Sequence, residues 1–189
     1  MQLSTSEQLL ELYQRNGAQT YGEDITQTEH AVQCAELARR EGQSDALVTA
    51  ALLHDIGHLL EATSLATGNY KHDALGASYL SQYFAAGVTE PIRLHAQAKR
   101  YLCAVEPGYL ERLSAVSVDS LHHQGGLMSE EEQRAFLAEP YASDAIKLRR
   151  WDDEGKVEEL SGRAVGDYID SITACLLSDA AESIAQGGH

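Results

Sequence analysis

The chain has 189 residues, 43% of them hydrophobic, enough to bury one substantial core in a single domain spanning 1–189. Its formal charge of −15 argues against nucleic acid and anionic membrane surfaces as partners, because both would repel it. A small anionic substrate stays open, since bound metal ions reverse the local charge.

No apolar run approaches the ~18 residues of a membrane span. The opening segment MQLSTSEQLLELY lacks the basic region and continuous apolar stretch of a signal peptide. Cys34, Cys103 and Cys175 lack metal-type spacing and read as reduced, partly buried core residues of a cytoplasmic protein.

In chain order, almost everything reads as helix. Leu3 to Arg15 carries Leu9, Leu10 and Tyr13 at helical spacing. Thr26 or Thr28 caps a second helix that runs through His30, Cys34 and Leu37 to about Arg40, with Gly42 as the stop. Ser44 caps a third, whose tail HDIGHLL places Gly57 where something must approach the backbone closely. Glu61 to Lys71 reads as a loop and Asp73 to Phe84 as a helix ended by Gly87. Pro91 is then expected at the first turn of a helix reaching about Val105. A helix through Tyr109, Leu110, Leu113 and Val116 follows, then a loop over His122 to Met128. Ser129 with Glu132 is a capping box, Pro140 breaks that helix, and Ala142 to Asp152 is helical. A long last helix is expected over about 165–186. No alternating strand pattern occurs, so the fold class is all-α.

The chemistry resides in scattered histidines around one His-Asp pair: His30, His54-Asp55, His58, His72 and His95, with Asp152 far downstream. Neutral imidazoles suit zinc, iron and manganese, and a carboxylate can bridge two ions. One candidate falls on each of several helices, as expected when helices converge on a buried centre. The set holds more ligands than one ion needs, which points to a dinuclear site. His54 and His58, four apart, would share a helical face, and so would His95 and Lys99.

An all-helical H…HD…D pattern with two further histidines resembles the dinuclear branch of the HD-domain proteins. Within it the chain is similar to the mixed-valent di-iron oxygenases of the PhnZ type, distant relatives of myo-inositol oxygenase that cleave organophosphonates. The segments carrying the resemblance are YGEDITQTEH (21–30), AALLHDIGHL (50–59), KHDALGASYL (71–80), HAQAKRYL (95–102), HQGGLM (123–128) and RRWDD (149–153). It implies an HD-domain helical bundle with motif core 21–153, two iron ions as an Fe(II)/Fe(III) pair, and O2 as co-substrate. It further implies that His30, His54, Asp55 and Asp152 bind one iron and that Asp55, His72 and His95 bind the other, with Asp55 bridging. His58, Lys99, Ser117 and Arg149 would hold a phosphonate, and Asp55, His58 and Lys99 would be the catalytic residues.

Read as residues, Lys99 and Arg149 are unpaired cations suited to an oxyanion. Glu23 offers a carboxylate for a substrate ammonium group. Tyr21, by resemblance, forms an induced-fit lid over the second iron. The loop departs from the family pattern by one residue fewer between Tyr21 and Glu23, and by Asp24 in place of proline. A trimethylammonium group would instead favour aromatic faces, with Tyr21, Tyr70 and Tyr101 as candidates.

The expected reaction is O2-dependent cleavage of the C–P bond of 1-hydroxy-2-aminoethylphosphonate or its N-trimethyl analogue, releasing phosphate and glycine or glycine betaine. The alternative is a metal-dependent HD phosphohydrolase, against which stand the His95–Lys99 pair and the Glu23 loop. A non-catalytic sensing domain would need no oxyanion pocket. The sequence leaves open the oligomeric state and the choice between primary amine and trimethylammonium.

Overall fold

The computed structural model describes residues 4–20, 24–61, 71–157 and 163–178. Among the described residues the elements are α-helices α1 (Thr5–Asn16), α2 (Gln27–Arg40), α3 (Asp45–Leu53), α4 (Ile56–Glu61), α5 (His72–Leu80), α6 (Ala86–Val105), α7 (Tyr109–Arg112), α8 (Ala115–His123), α9 (Glu130–Leu137) and α10 (Ala142–Glu154), then a 3₁₀ turn (Val165–Tyr168) and α11 (Ile169–Ala174). The only sheet-like pairing among them is an isolated antiparallel bridge between Phe84 and Leu176. The molecule is therefore an all-α bundle. No helix among the described residues is long and apolar enough to cross a membrane.

Local sequence sets most helix starts. Ser4 and Glu7, Thr26 and Glu29, and Ser129 and Glu132 form complete capping boxes, each satisfying two otherwise orphaned backbone N–H groups. Thr26, rather than Thr28, is thus the cap of α2. Ser44 caps α3 and Ser114 caps α8. Every residue of α3 from Leu47 to Leu53 is buried, as a helix apolar on all sides must be. It is the hub of the bundle, with α2, α6, α10 and α11 packed around it. The long α6 packs on α3, α5 and α10. A second small core of Leu94, Ala98, Met128, Phe136, Ala142 and Ala145 ties α9 and α10 to α6.

Tertiary packing overrides several local signals. Gly87 ends no helix: it is the second residue of α6, and Pro91 lies inside that helix instead of in its first turn. Proline there deletes the hydrogen bond to the carbonyl of Gly87, a local cost offset by burial of Val88 and Ile92 on either side. The run from Tyr109 to Val116 divides into α7 and α8, because Leu113 is extended and Ser114 starts a new cap. Helix α8 carries His122 and His123, and the loop begins only at Gln124, where Gly125 and Gly126 adopt positive φ.

The expected helix over 165–186 also breaks. It opens as a 3₁₀ turn, and α11 ends at Ala174 with Cys175 as its cap. Leu176 then pairs with Phe84, and the Leu177 N–H donates to the Tyr83 carbonyl at 2.8 Å. The second half of that expectation, like most of the 61–71 loop, lies outside the described residues.

Candidate metal centre

Five segments converge on one point. His30 comes from α2, His54 and Asp55 from the turn between α3 and α4, His72 from the first residue of α5, His95 from the middle of α6, and Asp152 from α10. The turn at His54-Asp55 corrects the shared-face reading of His54 and His58. Helix α3 ends at Leu53 and α4 starts at Ile56, so the two rings go different ways. His54 meets His30, with Nε2 atoms 3.2 Å apart, whereas His58 stacks on His72 with ring centroids 4.1 Å apart.

The donor atoms fall into two sets that share Asp55. In the first, His30 Nε2 lies 3.2 Å from His54 Nε2, 3.3 Å from Asp152 Oδ1 and 3.7 Å from Asp55 Oδ2. His54 Nε2 lies 3.5 Å from that same Asp55 oxygen. In the second, His72 Nε2 and His95 Nε2 are 3.2 Å apart and lie 3.5 and 3.8 Å from the other oxygen, Asp55 Oδ1. Two donors bound to one ion at about 2.1 Å stand roughly 3.0–3.4 Å apart at octahedral to tetrahedral angles. Both sets therefore need contract by only tenths of an ångström to hold an ion each.

The surroundings orient the imidazoles. His30 Nδ1 faces the Gly155 carbonyl at 2.8 Å, His54 Nδ1 faces that of Ala51 at 2.9 Å, and His95 Nδ1 faces that of Ile92 at 2.7 Å. A ring that donates its Nδ1–H to a carbonyl presents the Nε2 lone pair to the centre. Burial, reinforced by neighbouring imidazoles, pushes His72 down to about 3 and His95 down to about 4, so both are neutral at physiological pH, the form a metal needs. Burial works against ionisation of Asp55 and Asp152, yet both stay charged far below the usual carboxylate range. His54 is the main group that holds Asp55 there, and Arg149 holds Asp152. His30 is also disfavoured as a cation by burial, but Cys34 and Asp152 outweigh this and raise its pKa. A metal ion would displace that proton.

Two other donor groupings are close enough to consider: His30, Cys34 and His54, and Asp55, His58 and His72. Cys34 is a poor ligand here. Its thiol donates to the Trp151 carbonyl at 3.3 Å, and burial pushes its pKa up, which disfavours the thiolate that metals bind. His58 lines the cavity beside Asp55 and His72, within reach of either a metal or a substrate.

Of the donors, His30, Asp55, His72, His95 and Asp152 line a cavity of about 520 Å³, which Lys99, Ser117, Ser120, Arg149 and Lys156 also line, while His54 lies fully buried behind it. Lys99 is 3% exposed and donates to Ser120 Oγ at 2.5 Å. Arg149, expected to be unpaired, is not. Its Nη1 donates to Asp152 Oδ2 at 2.5 Å, its Nη2 pairs with Asp153, and its Nε contacts Tyr109 Oη at 3.2 Å. The cause is helical spacing, which places Asp152 and Asp153 three and four residues along α10 on the Arg149 face. Ser117 Oγ lies 3.5 Å from Arg149 Nη2. Tyr21, Glu23 and Tyr70 lie outside the described residues. Tyr101, the remaining aromatic candidate, packs against Phe136 and the smaller core, away from the cavity lining.

Sequence reasoning missed Ser120, Lys156 and the Gly155 carbonyl. Lys156 sits four residues after Asp152, and that spacing is a usable signal once α10 is known to run past Asp152.

The HD domain family profile matches residues 28–153, which contain every candidate metal ligand. The chain is 42% identical over 173 residues to hydroxymethylphosphonate dioxygenase of Gimesia maris, covering 89% of this chain and 86% of that protein. It is 39% identical over 150 residues to the glycine-betaine-forming [1-hydroxy-2-(trimethylamino)ethyl]phosphonate dioxygenase of Leisingera caerulea, covering 77% and 76%. It is also 33% identical over 183 residues to the uncharacterized protein L432 of Acanthamoeba polyphaga mimivirus, covering 93% and 83%. With its helical bundle and its His-Asp cluster, the chain belongs to the HD-domain family and, alongside these relatives, to its PhnZ-type oxygenase branch.

Proposed function

We propose that this protein is a di-iron oxygenase that uses O2 to cleave the C–P bond of a small 1-hydroxyphosphonate. The substrate is 1-hydroxy-2-aminoethylphosphonate or its N-trimethyl analogue, and the products are phosphate with glycine or glycine betaine. The observation that carries the reading is the split of Asp55. One oxygen faces His30 and His54 and the other faces His72 and His95, at the floor of a cavity walled by cations. The first iron is assigned to His30, His54, Asp55 and Asp152, the second to Asp55, His72 and His95. Bound there, a mixed-valent iron pair supplies the redox chemistry with O2, and the substrate itself supplies the electrons, so no external reductant is consumed.

The chain's residues orient and neutralise the substrate. Lys99 brings a cation to the cavity from the helix that carries His95, and Ser117 and His58 line the same cavity. Arg149 braces Asp152 through Nη1, while its Nη2, paired with Asp153, also lies 3.5 Å from Ser117 Oγ. Glu23 and Tyr21 are assigned to the substrate amine and to the lid on sequence grounds.

The test is phosphate release by anaerobically iron-loaded protein, with and without O2. The substrates are hydroxymethylphosphonate, 1-hydroxy-2-aminoethylphosphonate and the trimethylammonium analogue. Release that depends on O2 is the expected result, and the ratio of rates identifies the amine. Turnover of phosphate esters under argon, with no release from any phosphonate, would sink the oxygenase reading.

A pH dependence follows from Lys99. Burial and the nearby Arg149 push it down to about 8, so it is charged below that pH and neutral above it. kcat/KM, which reports the free enzyme, should fall about tenfold per pH unit above that point. Lys99→Gln should remove this alkaline limb and raise KM roughly 10- to 100-fold at neutral pH, the loss expected for a charge-assisted contact. An unchanged limb in the variant would show that another group titrates.

A further inference from the structure

We propose that Asp153, anchored by Tyr109, is a positioning residue of the first metal site: it holds the Arg149 guanidinium so that Nη1 fixes one oxygen of Asp152 and leaves the other for the ion. The role rests on the assignment of Asp152 as a metal ligand and is independent of the reaction the metals carry out.

The geometry starts from helical spacing. Asp152 and Asp153 follow Arg149 by three and four residues on α10, so one guanidinium meets both carboxylates. Its Nη2 pairs with Asp153 Oδ1, and its Nε donates to Asp153 Oδ2 at 3.2 Å. This two-point fork fixes the plane of the guanidinium. In that plane Nη1 donates to Asp152 Oδ2 at 2.5 Å. The other oxygen, Asp152 Oδ1, stays turned to the metal site, 3.3 Å from His30 Nε2. A ligand aimed by its outer partners before the ion arrives binds more tightly than one the ion must order.

Charge works in the same direction. Arg149 and Asp152 are 3% and 5% exposed, so neither is well screened by solvent. An Arg149 paired with Asp152 alone would cancel the charge that the ligand offers to a cation. Asp153 supplies the second carboxylate and leaves Asp152 with net negative charge for the ion.

Tyr109 brings in a separate element. Its hydroxyl donates to Asp153 Oδ2 and accepts from Arg149 Nε at 3.2 Å. Gly108, at φ 76, turns the chain so that the ring enters the protein. Just before that turn, Glu106 accepts from Arg150 of α10 at 2.7 Å and from Arg112 of α7 at 2.5 Å, which clasps α7 to α10. Neither Tyr109 nor Asp153 is among the residues that line the cavity, so both act through Arg149.

The experiment uses the full chain, metal-free, in a His72→Ala background that leaves the first site to be read alone. Mn(II) is titrated under argon and followed by electron paramagnetic resonance. Asp153→Asn, which keeps the shape and removes the charge, should weaken Mn(II) binding roughly 10- to 100-fold. Tyr109→Phe should weaken it in the same direction by less. The double variant Arg149→Gln/Asp153→Asn should bind within about twofold of Arg149→Gln alone, because Asp153 acts only through the guanidinium. A role in folding alone would lower affinity by the same factor whether or not Arg149 is present, and that result would overturn the proposal. Parent-like affinity in Asp153→Asn would overturn it too. If that variant does not fold, Tyr109→Phe carries the test, and an unchanged affinity there has the same meaning. Parent-like affinity in Asp152→Asn would strike the ligand assignment itself. If the metal results hold and no phosphonate is turned over, the positioning role stands and the proposed reaction falls.

Discussion

Asp55→Asn is expected to purify folded but deficient in both irons, with O2-dependent phosphate release reduced about a thousandfold or more. Asp55 is the one side chain with an oxygen in each donor set, so the loss should reach both ions, whereas His72→Ala should empty mainly the second. The fold should survive. His72 and His95 are held neutral by burial, so removing the carboxylate strands no cation on their side. The metal-free variant should therefore melt within a few degrees of the metal-free parent, or above it, because a largely buried carboxylate has been replaced by a neutral amide. Iron content, helical circular dichroism and melting temperature, measured together, check this. Retention of both irons at full stoichiometry would refute the bridging assignment.

Gly57→Ala should be nearly as damaging, by a different route. A Cβ at Gly57 would stand 2.1 Å from the His72 carbonyl oxygen and 2.7 Å from its carbon. Both are backbone atoms, so no rotamer change relieves the clash, and α4 and α5 must separate. The expected loss is about 2–3 kcal/mol, at the upper end for overpacking, or a melting temperature lower by roughly 5–10 °C. The displaced element carries His72, so the second iron should be lost before the first. Gly87→Ala is the control. The same methyl group there meets only the Ala46 side chain at 3.7 Å, inside α6, and should be neutral or stabilise by up to about 1 kcal/mol. Equal effects from the two substitutions would mean that the α4–α5 contact is not the constraint.

The boundary between local and non-local information runs through particular residues. The starts of α2, α3 and α9 are legible because a capping side chain and its partner lie three residues apart, within one turn. The end of α11 is not: the run after Val165 has helical character, yet it gives way to pairing of Leu176 with Phe84 and of Leu177 with Tyr83, far away in sequence. Pro91 carries a strong local signal for a helix start that packing around Val88 and Ile92 overrides. Arg149 looks like a free cation in the sequence, although Asp152 and Asp153 at i+3 and i+4 already announce its partners.

By itself the sequence determined the helical class, the caps of α3 and α9, the need for close approach at Gly57 and a short list of candidate metal donors. Each follows from residue chemistry or from spacing within a few residues. Tertiary structure alone decided that His54 and His58 part company at the turn between α3 and α4. It also decided that each oxygen of Asp55 faces a different imidazole pair, and that Arg149 reaches the cavity already engaged by Asp152 and Asp153. These depend on how α2, α3, α5, α6 and α10 lie against one another. That arrangement is set by packing between residues distant in the chain, and no periodicity within a single helix encodes it.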